Sequence, residues 1–165
     1  MRVPIRKGGQ YTNIQSDPIM TKDKFKELEK ELNSLKNTQP KLAEEVKRLA
    51  LMGDFSENAA YQIAKGRLRS VNSKIEKISK QIAEANIIEE NKNTNTVSIG
   101  HEVSIKSNID TKKYRILGSL ETDPLKGIIS YRSPIGKALL NKSLGDTIKI
   151  KNNNELIEYK IISIK

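Results

Sequence analysis

The chain has 165 residues, a formal net charge of +10, aromatic residues at 4%, one His, no Cys and no Trp. Without Cys, disulfides, thiol catalysis and Cys-ligated zinc are excluded, and His101 alone cannot build a His-rich metal site. The basic balance suits polyanionic partners or a solvated basic surface, and no apolar run is long enough to span a membrane.

Residues 1–19 read as a basic, disordered tail. Arg2, Arg6 and Lys7 show no periodicity, Asp17-Pro18 reads as a turn, and Met1–Arg6 lacks the apolar core of a secretory signal. The expectation is a cytoplasmic protein with no membrane partner. Thr21 is the predicted N-cap of a long helix, with Asp23 in its first turn. Its apolar seam runs Phe25, Leu28, Leu32, Leu35, Leu42, Val46 and Leu49, with Gln39 in the gap. The spacing alternates three and four, the heptad pattern. Pro40 predicts a kink rather than a break, since the seam resumes in register.

A second seam follows at Tyr61, Ala64, Leu68, Val71, Ile75, Ile78, Ile82 and Ala85. The connection between the two is too short for anything but an antiparallel return. A hairpin over 20–90 results, with its tip at 53–58. Arms of roughly thirty residues, rising about 1.5 Å each, make a rod of about 45 Å. Residues 91–96 form a polar linker. From Val97 the period changes to two, as in strands. Val97, Ile99, Val103 and Ile105 predict one strand or a pair, Tyr114, Ile116 and Leu117 another, and further strands are predicted over 127–131, 147–151 and 156–164. Ser133 and Pro134 read as N-cap and first residue of a short helix. The fold class is α+β: a helical coiled-coil hairpin, then a small antiparallel sheet with one short helix over 97–165.

The run Gly53-Asp54-Phe55-Ser56-Glu57-Asn58-Ala59-Ala60-Tyr61 carries the chemistry. Asp-x-x-Glu ahead of an apolar helix matches a capping box. At the apex of a rod the same two carboxylates can also be carried where a globular domain cannot enter. Lys65, Arg67 and Arg69 follow within a few turns, and Lys47 and Arg48 precede the tip on the other arm. They either hold nucleic-acid phosphates or form a solvated face paired with Glu across the hairpin.

The tip run resembles that of the bacterial Gre transcript cleavage factors (GreA and GreB), in a GreA-like form. Ser133-Pro134-Ile135-Gly136-Lys137-Ala138-Leu139-Leu140 with Leu144-Gly145-Asp146 is similar to their second signature, and Pro18-Ile19-Met20-Thr21 to their usual start. The resemblance covers Met20 to Lys165. It implies an FKBP-like C-terminal domain docked on RNA polymerase through Ser133, Pro134 and Ile135. It also implies a hairpin lying in the secondary channel, with Asp54 and Glu57 at the polymerase's Mg²⁺ and the basic residues near the nascent RNA 3′ end. The protein would then act as a monomer, with no cofactor and no nuclease activity of its own, and would stimulate the polymerase's cleavage of backtracked RNA. Rival readings are a channel-plugging inhibitor of the same fold, a hairpin chaperone and a free nucleic-acid binder.

Overall fold

The computed structural model describes residues 17–52, 59–89, 94–108, 110–152 and 155–165. The two heptad seams become two long helices, α1 (Lys22–Ala50) and α2 (Ala59–Ala83). Thr21 caps α1 as its sequence position requires: its hydroxyl accepts from the Lys24 N–H at 3.2 Å. Helix α1 continues through Pro40 without interruption. Every predicted seam position is at least half-buried, and Leu28, Ala64 and Ile78 are fully buried. Gln39 fills the gap in the first seam with a polar bridge, its amide donating to the Asn72 side-chain oxygen at 2.8 Å across the hairpin. The predicted tip, 53–58, lies outside the described residues.

The tail does not extend to residue 19. Strand β1 (Ile19–Met20) pairs in parallel with β2 (Asn86–Ile87), which follows α2. The Asn86 and Ile88 N–H groups donate to the carbonyls of Pro18 and Met20 at 2.7 and 2.9 Å. Met20 is wholly buried against Leu28 and Ile78. Too short to show a period, this segment is ordered by its tertiary partners instead.

The C-terminal sheet has the order β5-β4-β3-β7-β6. Its strands are β3 (Glu102–Lys106), β4 (Thr111–Leu117), β5 (Ile128–Ser130), β6 (Thr147–Asn152) and β7 (Glu155–Ile164). The pairings β3–β4, β3–β7 and β6–β7 are antiparallel. The pairing β4–β5 is parallel, the one parallel pair in a sheet that is otherwise antiparallel among the described residues. Parallel neighbours cannot be joined by a tight hairpin, and here the crossover holds two 3₁₀ turns, Ser119–Glu121 and Pro124–Lys126. Inward alternation from these strands buries Val103, Ile105, Ile116 and Ile161 beneath the short helix α3 (Pro134–Leu139), whose Leu139 is wholly buried. A second apolar cluster sits at the hairpin base. Leu120, from the first 3₁₀ turn, packs there with Phe25, Leu32 and Ile82, so the sheet domain meets the rod at its base.

Candidate functional site

Helix α1 has 29 residues. At about 1.5 Å per residue its far end stands about 43 Å from the Thr21 cap. Residues 53–58 therefore join two helix ends remote from the sheet domain. The side chains of Asp54 and Glu57 lie outside the described residues. Just before them, Leu51 and Met52 are 81% and 68% exposed, an apolar pair that the heptad pattern gives no reason to expect. The Arg48 guanidinium donates to the Met52 sulfur at 3.5 Å.

The five candidate basic residues Lys47, Arg48, Lys65, Arg67 and Arg69 are all exposed, and none of these five forms an ion pair among the described residues. Helix geometry divides them. Lys65 and Arg69 are one turn apart on one flank of the α2 seam, while Arg67 lies on the other flank. The Lys65 ammonium sits 5.6 Å from the Tyr61 ring centroid, a cation–π contact. Lys47 and Arg48 occupy the last turn of α1, where cations complement the helix dipole.

The predicted docking residues have structural work within the domain. The Ser133 hydroxyl accepts from the Gly136 N–H at 3.0 Å and so caps α3. Ile135 packs on the sheet core. Pro134, at the first helical turn, is exposed.

A polar cluster around Asp17 has no period to mark it in the sequence. Asp17 is only 5% exposed. Its Oδ2 accepts from the Ser119 N–H at 2.9 Å and the Ser119 hydroxyl at 2.7 Å. Its Oδ1 accepts from the Tyr131 hydroxyl at 3.0 Å and the Ile19 N–H at 3.3 Å, with an Arg132 guanidinium nitrogen at 3.8 Å. Burial alone would push this carboxyl up. The hydrogen bonds from Ser119, Ile19 and Tyr131 outweigh it and hold the group below its ordinary 3.8. Arg132 also donates to the Tyr131 oxygen at 2.9 Å, and that bond, with the nearby Asp17 charge, raises the guanidinium further.

A reciprocal contact runs the other way. Glu121 accepts from the Thr21 N–H at 2.8 Å and from the Thr21 hydroxyl. In a capping box a Glu three residues into the helix would fill that role. Lys24 occupies that position, so an acid 100 positions away replaces it. One signal for Asp17 is present in the chain: it is the first acidic residue after sixteen positions without one.

Among the described residues, no group of three or more His, Asp or Glu side chains could hold a metal ion. The two tip carboxylates fall short of the near-octahedral oxygen shell that Mg²⁺ requires. No described helix is long and apolar enough to cross a membrane.

Comparison with known proteins fits this two-part architecture. The family model described as "Transcription elongation factor, N-terminal" matches residues 18–87, and that described as "Transcription elongation factor, GreA/GreB, C-term" matches residues 91–165. The chain belongs to the GreA/GreB family. Transcription elongation factor GreA of Mycoplasma capricolum is 40% identical to this Gre-family chain over 157 residues, covering 92% of it and 100% of the relative. GreA of Lachnoclostridium phytofermentans is 38% identical over 151 residues, covering 89% and 94%. Among solved structures, the GreA factor homolog 1 (Gfh1) of Thermus thermophilus is 20% identical and covers 88% of this chain and 97% of its own, with a TM-score of 0.41. In the Gre-family chain the N-terminal match begins at residue 18, one position after Asp17.

Proposed function

We propose that this protein is a transcription elongation factor that inserts its hairpin into the secondary channel of RNA polymerase and stimulates cleavage of backtracked RNA by the polymerase itself. One observation carries the reading. A rod of about 43 Å, packed against the sheet domain at its base, ends remote from that domain at Ala50 on one arm and Ala59 on the other, and in the sequence Asp54 and Glu57 fall between those two ends. The family match over both parts of the chain supports it.

In this reading the tip carboxylates supply what the protein cannot complete alone. A Mg²⁺ held by the polymerase's acids lowers the pKa of an attacking water and steadies charge on the phosphate. Asp54 and Glu57 contribute oxygen ligands or orient that water. The sheet domain docks through the exposed Pro134 and the α3 start beside it. Lys65, Arg67 and Arg69, with Lys47 and Arg48, offer cations to the RNA 3′ segment. The protein itself is not an enzyme.

The test is a stalled, backtracked polymerase complex with Mg²⁺. Wild-type protein is expected to shorten the RNA from its 3′ end. Asp54→Asn or Glu57→Gln is expected to slow that cleavage by about a hundredfold, the scale for losing one preorganised electrostatic group, with polymerase affinity nearly unchanged. Substituted proteins that cleave like wild type would remove the acids from the mechanism.

A further inference from the structure

We propose that Asp17 is a positioning residue: its buried carboxylate fixes the direction of the rod relative to the segment that carries Ser133, Pro134 and Ile135. The inference draws on the cleavage reading above for its activity measurement only.

Among the described residues the Asp17 carboxylate faces donors alone. Ser119 supplies two, Ile19 and Tyr131 one each, and Arg132 adds a charge. Two oxygens with no hydrogen of their own suit this set. An Asn would turn an NH₂ toward N–H and O–H donors and leave them unpaired. The donors also form a chain. The Arg132 N–H donates to the Ser130 hydroxyl at 3.0 Å, and Ser130 lies 2.9 Å from the Ser119 hydroxyl, which in turn donates to Asp17. Tyr131, Arg132 and Ser133 are consecutive, so the residues gripped by Asp17 lead straight into the N-cap of α3.

The grip sits at the pivot. Asp17 precedes β1 and α1 by a few residues, and Ser119 begins the 3₁₀ turn that packs Leu120 onto the rod base. Glu121 of the same turn closes the Thr21 cap. The backbones meet closely enough that a Cβ on Gly118 would lie 1.8 Å from the Ile19 carbonyl oxygen. Small polar contacts between domains ordinarily permit relative motion, and the rod magnifies it. A tilt of about 10° at the base displaces a tip about 43 Å away by about 7 Å. Displacements of about 1 Å can already cost a hundredfold in a reaction that needs aligned groups.

Because the chain has no Cys, Lys74→Cys on α2 and Lys160→Cys on β7, both at exposed positions, can be spin-labelled as a pair in the full-length protein. Double electron–electron resonance should give one narrow distance distribution. Asp17→Asn should broaden it with helix content by circular dichroism unchanged, and Tyr131→Phe should do so less. In the backtracked complex Asp17→Asn should lower the saturating cleavage rate about tenfold or more while the half-saturating concentration stays near wild type. A purely stabilising residue would leave the distances and the saturating rate alone. An unchanged distribution in both variants overturns the proposal, as does a broadened one with an undiminished saturating rate. Should wild type itself fail to stimulate cleavage, the functional reading falls, and the distance distributions alone decide whether Asp17 fixes the rod.

Discussion

Asp17 and Thr21 show how single residues near the start of the described chain depend on partners about a hundred positions away. The Thr21 cap would be half-made within its own helix, since Lys24 cannot return a hydrogen bond to the capping residue, and Glu121 completes it. The Asp17 carboxyl titrates lower in the folded state than its ordinary 3.8. Below 3.8 the unfolded chain therefore binds more protons than the folded one, and stability rises with pH through that window. The contribution of Asp17 is complete above 3.8 and is lost as pH falls through the depressed folded value. Asp17→Asn should cost about 1–3 kcal/mol near neutral pH, the scale for leaving buried donors unsatisfied. Urea titrations of both proteins should show that gap narrowing as the solution is acidified below 3.8. A gap independent of pH would mean that the carboxylate charge does not support the fold.

At the scale of elements, two helical glycines with similar local sequence preference should behave oppositely. Gly66, inside α2, has open space where an alanine would place its Cβ, with no atom beyond its chain neighbours and the local helix backbone within 4 Å. Gly66→Ala removes only backbone freedom from the unfolded chain and should stabilise by about 1 kcal/mol. At Gly136 in α3, an added Cβ would meet the Ser130 carbonyl oxygen at 2.2 Å and the Tyr131 Cα at 2.9 Å. Backbone atoms cannot swing aside, so Gly136→Ala should lift α3 from β5 and destabilise by about 1–3 kcal/mol. Thermal unfolding of the two variants checks the pair, and equal signs would contradict the packing of α3. The same packing explains why a six-residue helix persists: a Ser133 cap, Pro134 at the first turn and a buried Leu139 offset the weakness of so short a helix.

Over the whole molecule, the rod and the sheet domain bury separate apolar clusters joined through Leu120 and the carboxylate contacts around Asp17 and Glu121. Positive charge runs on both flanks of the rod rather than on one strip. Lys65 and Arg69 share a flank, so replacing both with Gln should reduce the salt dependence of cleavage by roughly two counterions' worth of slope if they hold RNA phosphates. Cleavage assays across a salt series check this. An unaltered slope would assign the pair to an ordinary solvated face.

Features that depend on local repetition or fixed residue chemistry are legible along the chain. The heptad spacing placed both arms and gave Gln39 its seat in the seam. Period-two alternation located the strands from β3 onward but also marked Val97 and Ile99 as strand, where the chain instead turns at Ile99 and Gly100 ahead of β3, and Ser133-Pro134 marked the start of α3. The tip run and the Ser133 signature carried the family resemblance, because both motifs are contiguous in the chain. The parallel β4–β5 pairing, the exit of residues 17–19 from the tail, and the grip of Asp17 on Ser119 and Tyr131 emerge only in the folded molecule. None of these leaves a periodic trace. Each is a single donor or acceptor meeting a partner far along the chain, and such a meeting exists only after the two apolar clusters have brought the segments together.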